Sequence, residues 1–304
     1  MLSKLQYYLK SSNFNNVVEM NFTRSEITIS DLVKYYLENG NQNLSIDETS
    51  GGTLGVCYKA EINNKAFFIK THQNDSVCRN NFLKEVKIFS FLYGESISIQ
   101  QIDLNKDSSE QSFLVMEQLL YPCMDLAIPD VIDLICSYQN KLTNNETTQG
   151  LSEDYSFNSL IVEAKQALKN LSDNKFISTP IANQAYTHID YLIKNQHKLK
   201  PCICHGDLGP KNIMTNGNIN IAIDWEDAFM GVEGYDYLYW LTFFKNRRFW
   251  SQEIFGKTPS GKKIEIGIMI IIVILKCELS VRSKSYHTNS MTFDQRILEI
   301  LSIE

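Results

Sequence analysis

From Leu44 to Thr71 the pattern of apolar and polar positions is that of short strands and turns. That predicts strands at Leu44 to Asp47, Val56 to Ile62 and Ala66 to Thr71, the last two joined by a tight turn at Asn63-Asn64. The pattern then changes. Phe82, Val86, Phe89 and Tyr93 recur at helical spacing and predict a helix over roughly 76–93 with a buried stripe. An apolar run, Ser112 to Leu119, reads as a strand, and Pro122 marks a break. Beyond it the pattern is mainly helical. Leu160, Ile161, Ala164, Ala167, Leu168 and Leu171 share one helix face, and a second helix is expected over 181–196. The segment 201–212 is irregular and leads into a hairpin: Ile213-Met214, a turn at Asn216-Gly217, then Ile219 to Ile223. Helices are expected after that. Residues 1–44 are polar and Asn-rich, with two weakly amphipathic stretches near 2–10 and 30–38.

This order predicts an α+β chain of two lobes joined near 117–122. The first, residues 1–120, has a small β-sheet and one main helix, with 1–44 as an extension. The second, residues 121–304, is larger and mainly helical with an embedded β-hairpin. The length of 304 residues suits two cores.

Composition then narrows the function. The chain is 43% apolar and 21% charged with a formal net charge of -6. Nucleic acid is a poor partner for such a charge, because phosphate neutralisation needs clustered Lys and Arg. The seven cysteines are odd in number and scattered, which reads as reduced thiols in a cytoplasmic protein. The longest apolar run, Ile266 to Leu275, is half of what a membrane span needs, so no membrane association is expected.

The segment with most chemical content is Cys204-His205-Gly206-Asp207-Leu208-Gly209-Pro210-Lys211-Asn212. It has the His-x-Asp-x-x-x-x-Asn spacing of a kinase catalytic loop. The hairpin that follows ends at Ile223-Asp224-Trp225 and should return Asp224 toward Asn212 and Asp207. Three oxygen-bearing side chains would then converge, as a hard cation such as magnesium requires. Lys70 lies late in the third strand, where kinases place the nucleotide-binding lysine. Glu85 falls on the buried face of the following helix, where an unpaired charge is costly, and is its expected ion-pair partner.

His-Gly-Asp followed by Asn, then Ile-Asp-Trp-Glu-Asp-Ala, resembles the aminoglycoside phosphotransferase and choline kinase superfamily. The resemblance implies a protein-kinase-like fold and an ATP-dependent transfer of phosphate to a hydroxyl of a small molecule. It implies Asp207 as catalytic base, Asn212 and Asp224 as ligands of Mg2+, and His205 and Asp236 as residues that shape the catalytic loop. Thr49 to Gly55 would cover the phosphates, with Gly51, Gly52 and Thr53 nearest; Met116, Glu117 and Leu119 would form the adenine-binding hinge.

Between residues 201 and 240 there are six carboxylates and one lysine. Glu226, Asp227 and Glu233 are therefore expected to line a pocket for a cationic acceptor, an aminoglycoside, amino-sugar or choline-like alcohol, with a neutral sugar second. Trp225, Tyr235, Tyr237, Tyr239, Trp240 and Trp250 offer cation–π faces, although most are expected in the core. Lys245, Arg247 and Arg248 are the basic residues able to reverse that charge reading. A non-catalytic, kinase-like nucleotide-binding regulator is the alternative. A protein kinase is disfavoured: His-Arg-Asp, Asp-Phe-Gly and Ala-Pro-Glu are all missing.

Overall fold

A computed structural model describes residues 27–41, 43–49, 55–106, 109–143, 156–250, 254–258 and 260–303. The elements in chain order are α1 (Ile29–Glu38), β1 (Leu44–Thr49), β2 (Gly55–Ile62), β3 (Lys65–His72), α2 (Ser76–Tyr93), β4 (Ile99–Lys106) and β5 (Ser109–Glu117). Then follow α3 (Ile128–Thr143), α4 (Phe157–Asp173), α5 (Thr179–Lys194), β6 (Pro201–Cys204), β7 (Ile213–Thr215), β8 (Asn220–Ala222) and β9 (Phe229–Val232). The chain closes with α6 (Tyr235–Leu241), α7 (Lys262–Arg282) and α8 (Phe293–Leu301). This is the expected α+β architecture of an N-terminal antiparallel sheet and a larger helical part.

The described residues form two compact units. One comprises residues 27–125 together with Ile213–Glu226; the other comprises Leu126–Asn212 and the chain from Asp227 onward. The hairpin β7–β8, expected in the second lobe, thus packs with the first. Its contacts explain why: Leu120 and Thr215 exchange backbone hydrogen bonds, and the Ala222 amide donates to the Tyr93 hydroxyl at 3.1 Å.

The sheet of the N-terminal unit has the order β1-β2-β3-β5-β4, antiparallel throughout. Asn63 and Asn64 both adopt positive φ, as a two-residue hairpin turn demands. The edge strand β4 is absent from the sequence reading. Its Ile-Gln-Gln-Ile-Asp-Leu buries Ile102 alone, so its alternation is mostly polar. Helix α2 matches the expected 76–93. Asp75 caps it, its carboxylate accepting from the amides of Val77 and Cys78, and it buries Phe82, Val86, Phe89 and Tyr93 as the periodicity required.

In the other unit α7 is the central element. Its residues from Ile264 to Leu275 are buried on every face, which is how a helix apolar all round behaves inside a protein. No described helix is long and apolar enough to cross a membrane. The segment 201–212 is not wholly irregular, and the chain after it is not only helical. Pro201–Cys204 pairs antiparallel with Phe229–Val232, two four-residue strands too short to carry a period of their own.

Candidate active site

In the N-terminal unit, β3 is a central strand, so Lys70 lies between Cys57 of β2 and Leu114 of β5 in register. Its side chain is buried, and its Nζ donates to Glu85 Oε2 of α2 at 2.6 Å and to Asp224 Oδ1 at 2.5 Å. Glu226 Oε2 lies 3.7 Å away. Asp224 sits just past β8 in the left-handed backbone region, φ 69°, which Asp tolerates better than most residues. Burial alone would pull Lys70 below the ordinary lysine value, but Asp224, Glu85 and Glu226 together hold it well above. Burial likewise pushes Glu85 up, against the pull of Lys70. Carboxylate oxygens of Glu85, Asp224 and Glu226 fall within 4.8 Å of one another. Three carboxylates around one ammonium make an oxygen-rich centre of excess negative charge. Its donors are the kind a hard divalent cation takes.

In the other unit the catalytic-loop segment leaves β6 at Cys204 and is tied down by Asp236, in the first turn of α6. The Asp236 carboxylate is fully buried and accepts from the backbone amides of His205 at 2.8 Å and Gly206 at 3.1 Å, and from the Tyr138 hydroxyl at 2.7 Å. Burial pushes this carboxyl above its usual range in spite of His205 and those three donors. Gly206 has φ 83°, and a Cβ there would collide with the Asp227 carbonyl, so the bend requires glycine. His205 is buried, and its Nδ1 accepts from the Asp207 amide at 3.3 Å. Asn212 Nδ2 closes the loop by donating to the Asp207 carbonyl at 2.9 Å. The Tyr239 hydroxyl donates a short hydrogen bond to Asp207 Oδ1.

Asp207 opens onto a cavity of about 370 Å³ built from α6, α7 and α8. Tyr239, Phe243, Phe244, Lys276 and Arg296 line it together with three serines. The volume suits a small polar molecule.

The model of the phosphotransferase enzyme family matches residues 143–255, which include the catalytic-loop segment and Asp224. A search of curated proteins found no match. Among solved structures, aminoglycoside phosphotransferase APH(4)-Ia aligns over 91% of this chain and 99% of its own, with TM-score 0.58 and 13% identity. A thermostable mutant of that enzyme in ternary complex with AMP-PNP and hygromycin B covers 89% and 98%, with TM-score 0.59 and 12% identity. Choline kinase from Cryptosporidium parvum Iowa II covers 91% and 95%, with TM-score 0.53 and 12% identity. Part of the chain is thus similar to the phosphotransferase enzyme family, and its fold is similar to that of aminoglycoside phosphotransferases and choline kinase. The fold is the protein-kinase-like one of these structures.

Against the superfamily pattern, the residues singled out in the sequence separate cleanly. Lys70, Glu85 and Asp224 come together in one unit; Asp207 and Asn212 come together in the other. Met116 and Glu117 end β5 and Leu119 follows it. Gly51, Gly52 and Thr53 lie outside the described residues. Glu226, Asp227 and Glu233 do not line the cavity at Asp207. Glu226 faces Lys70, and the Asp227 backbone packs on Gly206. The Glu233 amide donates to the Lys200 carbonyl. Lys276 and Arg296 are site-lining residues that the sequence reading missed. One signal was present: Lys276 follows directly on the uncharged run Ile266 to Leu275, and a charge at the end of such a run needs a reason.

Proposed function

We propose that the chain transfers the γ-phosphoryl group of ATP to a hydroxyl of a small molecule, with Asp207 as the base and Lys70 as the phosphate-binding cation. The observation that carries this is the Lys70 ammonium held by Glu85 at 2.6 Å and Asp224 at 2.5 Å, a buried cation fixed in place with no apolar role. Such a cation takes phosphate oxygens, and Glu85 keeps it aimed. Asp224, with Asn212, would hold magnesium. Their side-chain oxygens suit it, and beside Asp224 the carboxylates of Glu85 and Glu226 supply the negative charge that favours a divalent ion. When bound with nucleotide, magnesium offsets the charge of the phosphates.

Asp207 accepts the acceptor's proton as the oxygen bonds to phosphorus and ADP departs. Tyr239 and Asn212 hold Asp207 in one orientation, so little reorganisation remains for the transition state. The Leu119 peptide makes no hydrogen bond among the described residues and is free to meet the edge of adenine beside Met116 and Glu117. The expected cationic acceptor rested on Glu226, Asp227 and Glu233, and the cavity at Asp207 lends it no carboxylate beyond Asp207 itself.

Steady-state assay of Asp207→Asn tests the reading. Phosphate transfer should fall by a factor on the order of 10² or more while Mg-ATP binding stays within a few-fold. A near-wild-type rate would remove Asp207 from the mechanism.

A further inference from the structure

The geometry points to an acceptor that carries an anionic group, a carboxylate or a phosphate, bound by Lys276 and Arg296 while its hydroxyl meets Asp207. This rests on the kinase reading above and specifies its substrate class.

The charges lining the cavity carry the inference. Asp207 is its single carboxylate, and Lys276 and Arg296 are its two basic side chains. Lys276 Nζ donates to Thr242 Oγ1 at 2.6 Å, which uses one of three N–H bonds. The same Nζ lies 3.7 Å from the ring centroids of both Tyr239 and Phe243. These are the aromatic faces a substrate ammonium would need, and the protein's own lysine already occupies them. The Phe244 ring is taken in the same way, by Arg296 at 5.0 Å and Arg247 at 5.7 Å. Arg247 is neutralised by an ion pair with Glu299. Arg296 has no carboxylate partner among the described residues, so its planar fork is available for an oxyanion. A cationic acceptor would meet the Arg296 guanidinium, would disfavour the protonated form of Lys276, and would find no open aromatic face among the lining residues. An anionic acceptor would complete the unused donors of both side chains, and its charge would favour the protonated form of Lys276.

The test uses the full-length protein and a matched set of hexose acceptors: glucose, glucosamine, gluconate and glucose 6-phosphate. Transfer from ATP is followed by kcat/KM, and binding of each acceptor by calorimetry. Gluconate or glucose 6-phosphate should be preferred over glucose, and glucosamine should be poorest; which of the two leads distinguishes carboxylate from phosphate. In Arg296→Gln and in Lys276→Met the preference for the anionic member over glucose should drop by a factor on the order of 10². Arg296→Glu should shift preference toward glucosamine. If no hexose turns over, calorimetry decides: binding of an anionic member that is lost in Arg296→Gln supports the assignment. Failure of both anions to bind, or binding and turnover indifferent to both substitutions, overturns it. So does efficient use of glucosamine by the wild-type chain. Loss of the kinase reading has a separate signature: no Mg-ATP binding and no transfer to any acceptor.

Discussion

Replacing Lys70 by Met keeps most of the side chain's volume and removes the one cation that faces Glu85, Asp224 and Glu226. The stem can still pack on the sheet, so the cost is electrostatic. Glu85 is fully buried, and without Lys70 its carboxylate has no cation within reach among the described ion pairs. Stranding a buried charge in this way costs about 3–5 kcal/mol. Protonation sets a ceiling on that figure. Starting from the ordinary glutamate value of 4.5, holding Glu85 neutral at pH 7 costs about 3.4 kcal/mol, at about 1.4 kcal/mol per pH unit. At pH 5 the same step costs only about 0.7 kcal/mol. In the variant the folded chain keeps a proton on Glu85 that the unfolded chain releases above pH 4.5, so the deficit grows as pH rises from there. Denaturant unfolding of wild type, Lys70→Met and Lys70→Met/Glu85→Gln at pH 5 and pH 7 measures it. The single variant should lose about 3 kcal/mol at pH 7 and less than about 1 kcal/mol at pH 5, and the added Gln should recover most of the loss at pH 7. A deficit equal at both pH values, or one that Glu85→Gln leaves untouched, would refute the reasoning.

Asp236→Ala should cost about 3 kcal/mol or more, because it strands two buried amides and the Tyr138 hydroxyl; Asp236→Asn, which keeps one acceptor oxygen, should cost less in the same unfolding assay. Gly206→Ala should abolish transfer and lower the melting temperature, since its Cβ meets backbone rather than a movable side chain. Lys276 is held well below the ordinary lysine value by burial, aided by Arg296 and opposed by Asp207. The folded chain therefore binds fewer protons there than the unfolded chain, from that depressed value up to 10.5, and stability rises with pH across the window. Melting curves of wild type and Lys276→Met should accordingly shift in favour of wild type as pH is raised from 6 toward 10, and a constant gap would count against a buried, titrating Lys276.

What the sequence disclosed is what short-range pattern can carry. Lys70 and Glu85 were legible because strand position and helix phase each fix a direction from a few neighbours. The loop from His205 to Asn212 stood out by its spacing together with the hairpin that follows it. The cavity was not, because Tyr239, Lys276 and Arg296 come from three helices and meet only through packing. Glu226 and Asp227 show the same limit at closer range. They are consecutive, yet the single turn of 3-10 helix at Trp225–Asp227 sends one toward Lys70 and the other against Gly206. Composition placed both near an acceptor; only the local backbone decides where each goes.

The threading of the chain has a consequence for its birth. The N-terminal unit lacks its hairpin, Ile213–Glu226, until the ribosome has also made residues 126–212 of the other unit. During that interval Lys70 has Glu85 but neither Asp224 nor Glu226, and Tyr93 has no Ala222 amide to receive. The other unit waits longer still, since α7, its apolar centre, follows the hairpin by some way along the chain. Neither unit can finish folding vectorially before the other has begun. A nascent chain halted near residue 212 exposes two incomplete cores at once, and a break anywhere in 213–226 damages the first unit from a segment remote from it in the chain.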